Sequence, residues 1–260
     1  MDNYVISLNS SAKRRCHIVE QFEAQNIKFK FFDAIEPNSN SKVATDLAVD
    51  ISNCDLTQGE IACLLSHVSL WQMMVDQQLN YMAIFEDDII LGESADLILS
   101  TQEWIPQNAD VVKLEKFAAA AKMKFSSKRV SIHRKVRQLT CKHLGAAGYI
   151  LSLNSAKILL KYVQQKDKLI AVDHIIFEVF IENKQLNILQ MLPGICIQSD
   201  RLYPVEQAIV SDLEFERRQR FDIFFAQQKS IKRSFKEKLN REFLRLSHQI
   251  GLLLGKLTFK

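Results

Sequence analysis

The chain has 260 residues, of which 47% are hydrophobic and 25% charged, and its formal net charge is +4 at pH 7. That is enough apolar material for one buried core near the upper end of single-domain size. Seven Gly and four Pro are too few for long disordered linkers or for an all-β fold with many tight turns. The composition therefore favours a mixed α/β domain.

Five cysteines are scattered through the chain, and no two of them form a CxxC or a Cys/His pair with zinc spacing. We expect reduced, mostly buried thiols at Cys16, Cys54, Cys63, Cys141 and Cys196. The N-terminus lacks a secretory signal pattern, and no apolar stretch approaches the roughly 20 residues that span a bilayer. We therefore expect a cytoplasmic protein, free or bound to the inner face of the cytoplasmic membrane.

The first 34 residues predict a strand, a helix and a second strand. Residues 3–8 are rich in β-formers, and the polar residues 9–11 are N-cap types before a helical pattern that runs to Gln25. Residues 28–34 alternate and then end on an apolar pair, which predicts a strand beside the first. A strand-helix-strand opening favours a parallel α/β sheet.

A further helix and a buried strand follow. Thr57 and Glu60 have capping-box spacing and predict a helix that runs to about Gln78. Residues 81–85 form an apolar run too short for a helix, which indicates a central strand buried on both faces. Later predicted elements are a strand at 111–114, an alternating segment at 129–133, a glycine-containing segment at 145–151 before a helix capped by Asn154, a helix at 173–183, and strands at 186–190 and 195–199.

Three consecutive carboxylates, Glu86, Asp87 and Asp88, follow the predicted central strand. Like charges at such short distances repel, and a divalent cation would remove that repulsion. Hard oxygen ligands at the end of a strand suit Mg²⁺ or Mn²⁺ together with a nucleotide diphosphate, and ligands bind at the carboxyl ends of strands in open α/β sheets. The alternative is a solvated turn that caps the next element.

Six ordered segments together resemble glycosyltransferase family 25, which includes bacterial lipooligosaccharide galactosyltransferases. The segments are Tyr4–Leu8 with Arg14 and Arg15, Phe31–Ala34, Leu56–Glu60 continuing to Ser66 and His67, Phe85–Asp88, Gly148–Ser152, and Val172 with Asp173. The resemblance covers roughly residues 3–200, and six ordered motifs are far more specific than any one of them.

The resemblance implies a GT-A-like, Rossmann-type mixed sheet flanked by helices. It also implies a UDP-sugar donor, usually UDP-galactose, a divalent metal (Mn²⁺ or Mg²⁺) and inversion at the anomeric carbon. By position, the triplet is the counterpart of the family's DxD element, with Glu86 in place of the first Asp. Glu86 and Asp88 are the implied metal ligands, with Asp88 favoured, while Glu86 and Asp87 are also implied to contact the donor.

The resemblance places eight more residues at the donor site: Ser7, Leu8, Arg14, Arg15, Asp33, Glu60, Ser66 and His67. An Arg fork suits phosphate or uracil oxygens, but adjacent helical residues point about 100° apart, so we expect only one of Arg14 and Arg15 to face the site. Both could instead lie on a solvated helix face. Glu60 could serve only the capping box, and His67 could be a half-buried histidine without a ligand.

Asp173 is the implied catalytic base. Inverting transfer needs a group that deprotonates the acceptor hydroxyl as this hydroxyl attacks the anomeric carbon, and a carboxylate can do this. Asp173 lies at a predicted helix start, so an ordinary N-cap is the alternative.

The C-terminal part of the chain differs in charge from the rest. Residues 1–210 contain 22 Lys+Arg and 24 Asp+Glu, whereas residues 211–260 contain 12 and 6. We predict a catalytic domain at 1–210 and a basic amphipathic helical extension at 211–260, with its apolar stripe beginning at Phe235. This extension is expected on an anionic membrane, or alternatively packed on the domain. Nucleic acid is not an expected partner, since no binding module accompanies the basic stretch.

The expected function is therefore inverting, metal-dependent transfer of a sugar, most simply galactose, to a lipid-linked or oligosaccharide acceptor of lipopolysaccharide type. One alternative is a Mg²⁺-dependent phosphohydrolase, although the triplet lacks the Thr of the DxDxT pattern. Another alternative is a membrane-associated interaction protein with a degenerate catalytic domain.

Overall fold

The computed structural model describes residues 1–203 and 255–260. Its strands are β1 Asp2–Ser7, β2 Lys30–Asp33, β3 Tyr81–Glu86, β4 Ile89–Leu91, β5 Val111–Lys113, β6 Met123–Arg129, β7 Lys135–Leu139, β8 Gly148–Ser152, β9 Ile188–Leu192 and β10 Cys196–Gln198. Its α-helices are α1 Ala12–Glu23, α2 Asn40–Asp46, α3 Gln58–Asp76, α4 Asp96–Leu99, α5 Leu153–Gln164, α6 Val172–His174, α7 Phe180–Glu182 and α8 Ser199–Leu202. The predicted α/β class is confirmed.

Eight strands form one mixed sheet in the order β2-β1-β3-β8-β5-β9-β7-β6. β1 is parallel to β2 and β3, β8 is antiparallel to both β3 and β5, and β9 is parallel to β5. The carboxyl ends of β1, β2, β3, β5 and β9 therefore lie at one edge of the sheet, where β8 begins. The remaining strands, β4 and β10, form a separate antiparallel pair.

The core covers both faces of this sheet because apolar side chains alternate along its central strands. Tyr4 and Ile6 belong to the cluster beneath α3 and α5, whereas Val5 belongs to the cluster beneath α1. The predicted capping box is present: Thr57 Oγ1 accepts from Glu60 N at 3.2 Å, and Glu60 Oε2 accepts from Thr57 N at 3.0 Å. It fixes the start of α3, which packs across the sheet.

Several local predictions were wrong. The alternating segment 129–133 contains only the last residue of β6 and part of the turn into β7. The strands of this hairpin lie on either side of the turn. The N-cap of α5 is Ser152, whose Oγ accepts from Ser155 N at 3.2 Å, and not Asn154. None of the five cysteines forms a disulfide, as expected, but among them only Cys196 is buried and Cys16 is exposed.

The last six residues are extended, although we expected them to belong to a helical extension. Gly194 N donates to Thr258 O at 2.8 Å, Ala121 N donates to Gly255 O at 2.9 Å, and Leu257 is buried in the core. The predicted amphipathic helix lies outside the described residues, as does the predicted boundary at residue 210. No helix within residues 1–203 or 255–260 is long and apolar enough to cross a membrane.

Candidate active site

The acidic triplet lies at the carboxyl edge of the sheet, where β3 ends. Asp87 is the most firmly held member: Ser7 Oγ donates to its Oδ2 at 2.6 Å, and Arg14 Nη1 donates to its Oδ1 at 3.0 Å. Ser7 is the last residue of β1, and Arg14 lies in the first turn of α1. Both carboxylate oxygens of Asp87 are thus already paired with protein groups, so Asp87 organises the triplet.

Glu86 and Asp88 present their oxygens differently. Asp88 is only 4% exposed, its Oδ2 accepts from Gln198 Nε2 at 3.2 Å, and its buried Oδ1 has no hydrogen-bond partner in the described part of the chain. Burial, followed by the charges of Glu86 and Asp87, raises the pKa of Asp88 well above its usual range. An unpaired buried oxygen beside other carboxylates fits a hard divalent cation, which would relieve both the desolvation and the repulsion. Glu86 and Asp88 are the residues that could hold it.

Arg15 of α1 and Asp33, the last residue of β2, lie at the same edge. Arg15 Nη2 donates to Ser7 O at 3.0 Å, its Nε donates to Leu8 O at 3.2 Å, and its guanidinium forms an ion pair with Asp33. The guanidinium also lies 4.8 Å above the Phe31 ring centroid. Arg14 thus reaches the triplet, whereas Arg15 crosses the ends of the neighbouring strands, so which of the two arginines faces a bound donor stays a prediction.

His67 approaches the triplet from α3 and is completely buried. Its Nδ1 lies 2.9 Å from the Tyr149 hydroxyl, which also accepts from Trp71 Nε1 at 3.0 Å. Its Nε2 lies 3.7 Å from Glu86 Oε1. Burial raises the pKa of Tyr149 above its usual range, so the hydroxyl remains protonated.

The partners of Tyr149 determine which His67 nitrogen carries the proton. The Trp71 N–H can only donate, so the Tyr149 oxygen accepts it and has one proton of its own to give. When that proton is donated to His67 Nδ1, 2.9 Å away, the imidazole proton lies on Nε2, on the side of Glu86. Cys63 Sγ lies within 4.8 Å of both His67 and Glu86, a grouping that could also bind a metal ion. The tautomer favours His67 as a donor to Glu86, since a metal-bound Nε2 cannot carry a proton.

A short loop connects the triplet to Asp173. Asp173 Oδ2 accepts from Gly145 N at 3.2 Å, and Glu86 N donates to Ala147 O at 3.0 Å. The N-cap alternative for Asp173 is wrong, because Ala171 holds that position and Asp173 lies in the first turn of α6. The two parts of the predicted site are therefore on opposite sides of a three-residue loop.

Lys113 and Glu115 form hydrogen bonds with the segment 144–147, which contains this loop. Neither residue was predicted from the sequence. Both side chains are fully buried, with Lys113 Nζ 3.4 Å from Glu115 Oε2 and 2.9 Å from Leu144 O. Glu115 Oε2 also accepts from Ala147 N at 3.1 Å. Burial lowers the pKa of Lys113 and raises that of Glu115. The available signal was a Lys inside an apolar strand with a Glu two positions on, both on one face of the strand.

Two predicted donor-site residues have mainly structural contacts. Glu60 belongs to the capping box of α3. Ser66 Oγ accepts from Ile35 N at 2.9 Å and donates to Ala62 O at 2.8 Å, which ties the segment after β2 to α3. The structure thus gathers Ser7, Leu8, Arg14, Arg15, Asp33 and the triplet at one edge, with His67 beside them.

Comparison with known proteins decides the family. A sequence profile described as “Glycosyltransferase family 25 (LPS biosynthesis protein)” matches residues 1–176, which contain the triplet and Asp173. The chain belongs to glycosyltransferase family 25. It is therefore a glycosyltransferase, and family membership decides against the phosphohydrolase and interaction-protein alternatives.

Relatives of this family 25 enzyme span most of its length. It is 42% identical to a “Putative glycosyltransferase” of Haemophilus influenzae, over 94% of this chain and 84% of the relative. It is 36% identical to “Lipooligosaccharide biosynthesis protein lic2B” of the same species, over 83% and 82%. It is 31% identical to “Lacto-N-neotetraose biosynthesis glycosyltransferase LgtB” of Neisseria meningitidis serogroup B, over 96% and 94%.

Among solved structures, a galactosyltransferase LgtC complex with donor and acceptor sugar analogues aligns over 73% of each chain, with a TM-score of 0.40 and 13% identity. This family 25 enzyme has the mixed sheet flanked by helices that was expected, with its acidic triplet at the carboxyl edge.

Proposed function

We propose that this enzyme transfers galactose from UDP-galactose to a lipooligosaccharide-type acceptor, with inversion and with the help of a divalent metal. The observation that carries the proposal is the difference in hydrogen bonding between Asp87 and Asp88. Ser7 and Arg14 pair both oxygens of Asp87, while Asp88 keeps a buried oxygen without a partner among the described residues. Such an arrangement suits a cation that in turn holds a diphosphate.

Glu86 and Asp88 would hold Mn²⁺ or Mg²⁺, which when bound supplies positive charge next to the departing UDP phosphates. Arg14 and Arg15 surround the same edge with fixed positive charge. His67, with its proton on Nε2, orients the Glu86 carboxylate from the buried side. These groups bind and orient the donor; they exchange no proton with it.

Asp173 would act on the acceptor. Its carboxylate takes the proton of the acceptor hydroxyl while the hydroxyl oxygen bonds to the anomeric carbon, and the bond to UDP breaks on the opposite face. What supports this role is that its backbone donor Gly145 belongs to the loop that also contacts Glu86, so one short loop joins Asp173 to the triplet.

The acceptor class is proposed from the relatives, two of which are named for lipooligosaccharide or lacto-N-neotetraose biosynthesis. A lipid-linked acceptor would place the enzyme in the cytoplasm, on the inner face of the cytoplasmic membrane. The basic, apolar-striped C-terminal sequence would contribute to that attachment.

A donor screen tests the proposal. Full-length enzyme with a lipooligosaccharide acceptor is given UDP-galactose, UDP-glucose, UDP-N-acetylglucosamine and UDP-N-acetylgalactosamine, each with and without Mn²⁺, and UDP release is measured. We expect release with UDP-galactose and Mn²⁺, and a β-linked product by NMR. Preference for another donor would contradict the galactose assignment, and an α-linked product would contradict inversion.

A further inference from the structure

The β6–β7 hairpin has a surface that the donor site does not use. We call residues 123–139 the basic hairpin. The sequence between Glu115 and Asp167, which contains it, has 12 Lys+Arg and no Asp or Glu. Two large apolar side chains of the hairpin are exposed, Phe125 to 80% and Ile132 to 73%. Basic and apolar groups are thus presented together, without acidic neighbours in sequence.

Protection of a sheet edge explains only part of this surface. β6 is the outermost strand of the sheet, and lysines on such a strand prevent pairing with other chains. An exposed Phe125 works against that protection, because large apolar side chains promote association. Removal of the Phe125 and Ile132 side chains from water is favourable, and it occurs only when another apolar phase covers them. The combination therefore indicates a partner that is both negatively charged and apolar.

The hairpin is firmly attached to the domain. Arg134, 5% exposed, donates to Pro193 O at 2.9 Å, to Gly194 O at 3.3 Å and to Lys260 O at 2.7 Å. It therefore fixes the β6–β7 turn against the loop after β9 and the end of the chain. Four other cations of the hairpin are exposed and remain available to a partner: Lys124, Lys128, Arg129 and Lys135.

An open groove of about 420 Å³ lies beside the turn. Five cations line it, together with Pro193 and Thr258: Arg129, Arg134, Lys135, Arg137 and Lys256. Guanidinium and ammonium groups around one groove suit a phosphate ester, because both donate charge-assisted hydrogen bonds to phosphate oxygens.

The turn and the donor site lie at the same edge of the sheet. Lys135, the first residue of β7, pairs with Leu192 at the carboxyl end of β9. Because β9, β5 and β3 point the same way, the turn lies at the edge where the acidic triplet is. Four strand spacings separate β7 from β3, roughly 20 Å. A surface that contacted the hairpin would therefore pass close to the donor site.

We propose that the basic hairpin docks the enzyme on an anionic lipid bilayer, with Phe125 and Ile132 in the headgroup region and the surrounding Lys and Arg on lipid phosphates. A bilayer offers negative charge and an apolar interior in one partner, which matches both features of the hairpin. This surface is distinct from the C-terminal sequence, and binding through it does not require sugar transfer.

Vesicle binding tests the proposal with the full-length protein. Sedimentation with phosphatidylcholine–phosphatidylglycerol vesicles is compared with sedimentation with phosphatidylcholine vesicles. We expect binding to the anionic vesicles that weakens as NaCl is raised. Lys124→Glu, Lys128→Glu and Arg129→Glu combined should reduce the partition coefficient at least about tenfold. Phe125→Ser with Ile132→Ser should reduce it about tenfold without changing the net charge.

The matched control reverses three exposed lysines on or next to α5: Lys157→Glu, Lys161→Glu and Lys166→Glu. It changes net charge by the same amount and should keep most of the binding. Wild-type binding by both hairpin variants would overturn the proposal, as would equal losses in the two triple variants or equal binding of the wild type to both kinds of vesicle. Thermal unfolding of each variant shows that a loss of binding is not a loss of folding.

Discussion

His67 Nε2 lies 3.7 Å from Glu86 Oε1, and the Trp71–Tyr149 pair behind the imidazole directs its proton toward that carboxylate. The separation is slightly longer than a hydrogen bond, and the Glu86 side chain is partly exposed while His67 is buried. We expect three buried side chains, His67, Tyr149 and Trp71, to set the orientation of the Glu86 carboxylate.

Tyr149→Phe tests this connection. Loss of the hydroxyl leaves the buried Trp71 N–H without its acceptor. It also removes the group that determines which His67 nitrogen carries the proton. We expect a loss of about 1–3 kcal/mol in the free energy of unfolding, together with a higher KM for the donor. Urea unfolding and donor kinetics measure the two effects. Tyr162→Phe, at a tyrosine on α5, is the control and should change neither; an unchanged KM in Tyr149→Phe would contradict the positioning role.

Asp87→Asn and Asp88→Asn should have opposite effects on the metal-free protein. Asp87 is paired with Ser7 and Arg14, so Asp87→Asn should lower the free energy of unfolding by about 1–3 kcal/mol. The folded-state pKa of Asp88 is raised, so its stabilising contribution is present below the unfolded pKa and is lost as pH rises. Asp88→Asn should therefore keep or increase stability at pH 7. Urea unfolding in EDTA measures both, and a marked loss of stability in Asp88→Asn would contradict this prediction.

Asp173→Asn should separate binding from chemistry. The amide keeps the size of the carboxylate but cannot take a proton, so we expect UDP affinity close to wild type and transfer slower by about 10²–10⁴. Calorimetry with UDP and Mn²⁺, together with UDP release, measures the two quantities. Asp167→Asn, at an exposed position, is the control. Lost UDP affinity in Asp173→Asn would place this residue in the donor pocket instead.

His143 predicts a pH dependence of stability. Burial, followed by the charge of Lys113, lowers the pKa of His143 to about 3. Because the folded pKa lies below the unfolded value of about 6.5, the stabilising contribution is present above pH ~6.5 and is lost as pH falls toward about 3. Between pH 7 and 5 it should decline by about 2 kcal/mol.

His143→Gln should remove that part of the decline, whereas His133→Gln, at an exposed histidine of the β6–β7 turn, should leave it intact. Urea unfolding at the two pH values provides the comparison. A decline of equal size in wild type and His143→Gln would assign the pH dependence to other groups.

Local patterns in the sequence predicted those features that local physics determines. The capping box at Thr57 and Glu60 needs only residues three apart, and the position of the triplet follows from the short apolar run before it. The parallel pairing of β1 and β2 follows from the helix between them.

The rest of the site depends on contacts between distant residues. Tyr149 meets His67 across 82 positions of sequence, and Gln198 meets Asp88 across 110. The burial of Lys113 depends on carbonyl groups of a loop far along the chain, so a lysine in a strand gave no indication of its partners. β6 was missed because an edge strand exposed on both faces has no apolar alternation to detect, and β7 because its two buried apolar residues, Val136 and Leu139, are three positions apart.

The most direct test of the proposed mechanism is the initial rate of UDP release from UDP-galactose as Mn²⁺ is titrated into EDTA-treated enzyme with a lipooligosaccharide acceptor. In the wild type the rate should rise from baseline and saturate, while in Asp88→Asn it should remain at baseline at every Mn²⁺ concentration. Full wild-type turnover in EDTA, or near-normal turnover of Asp88→Asn at saturating Mn²⁺, would contradict a metal-dependent site built on Glu86 and Asp88.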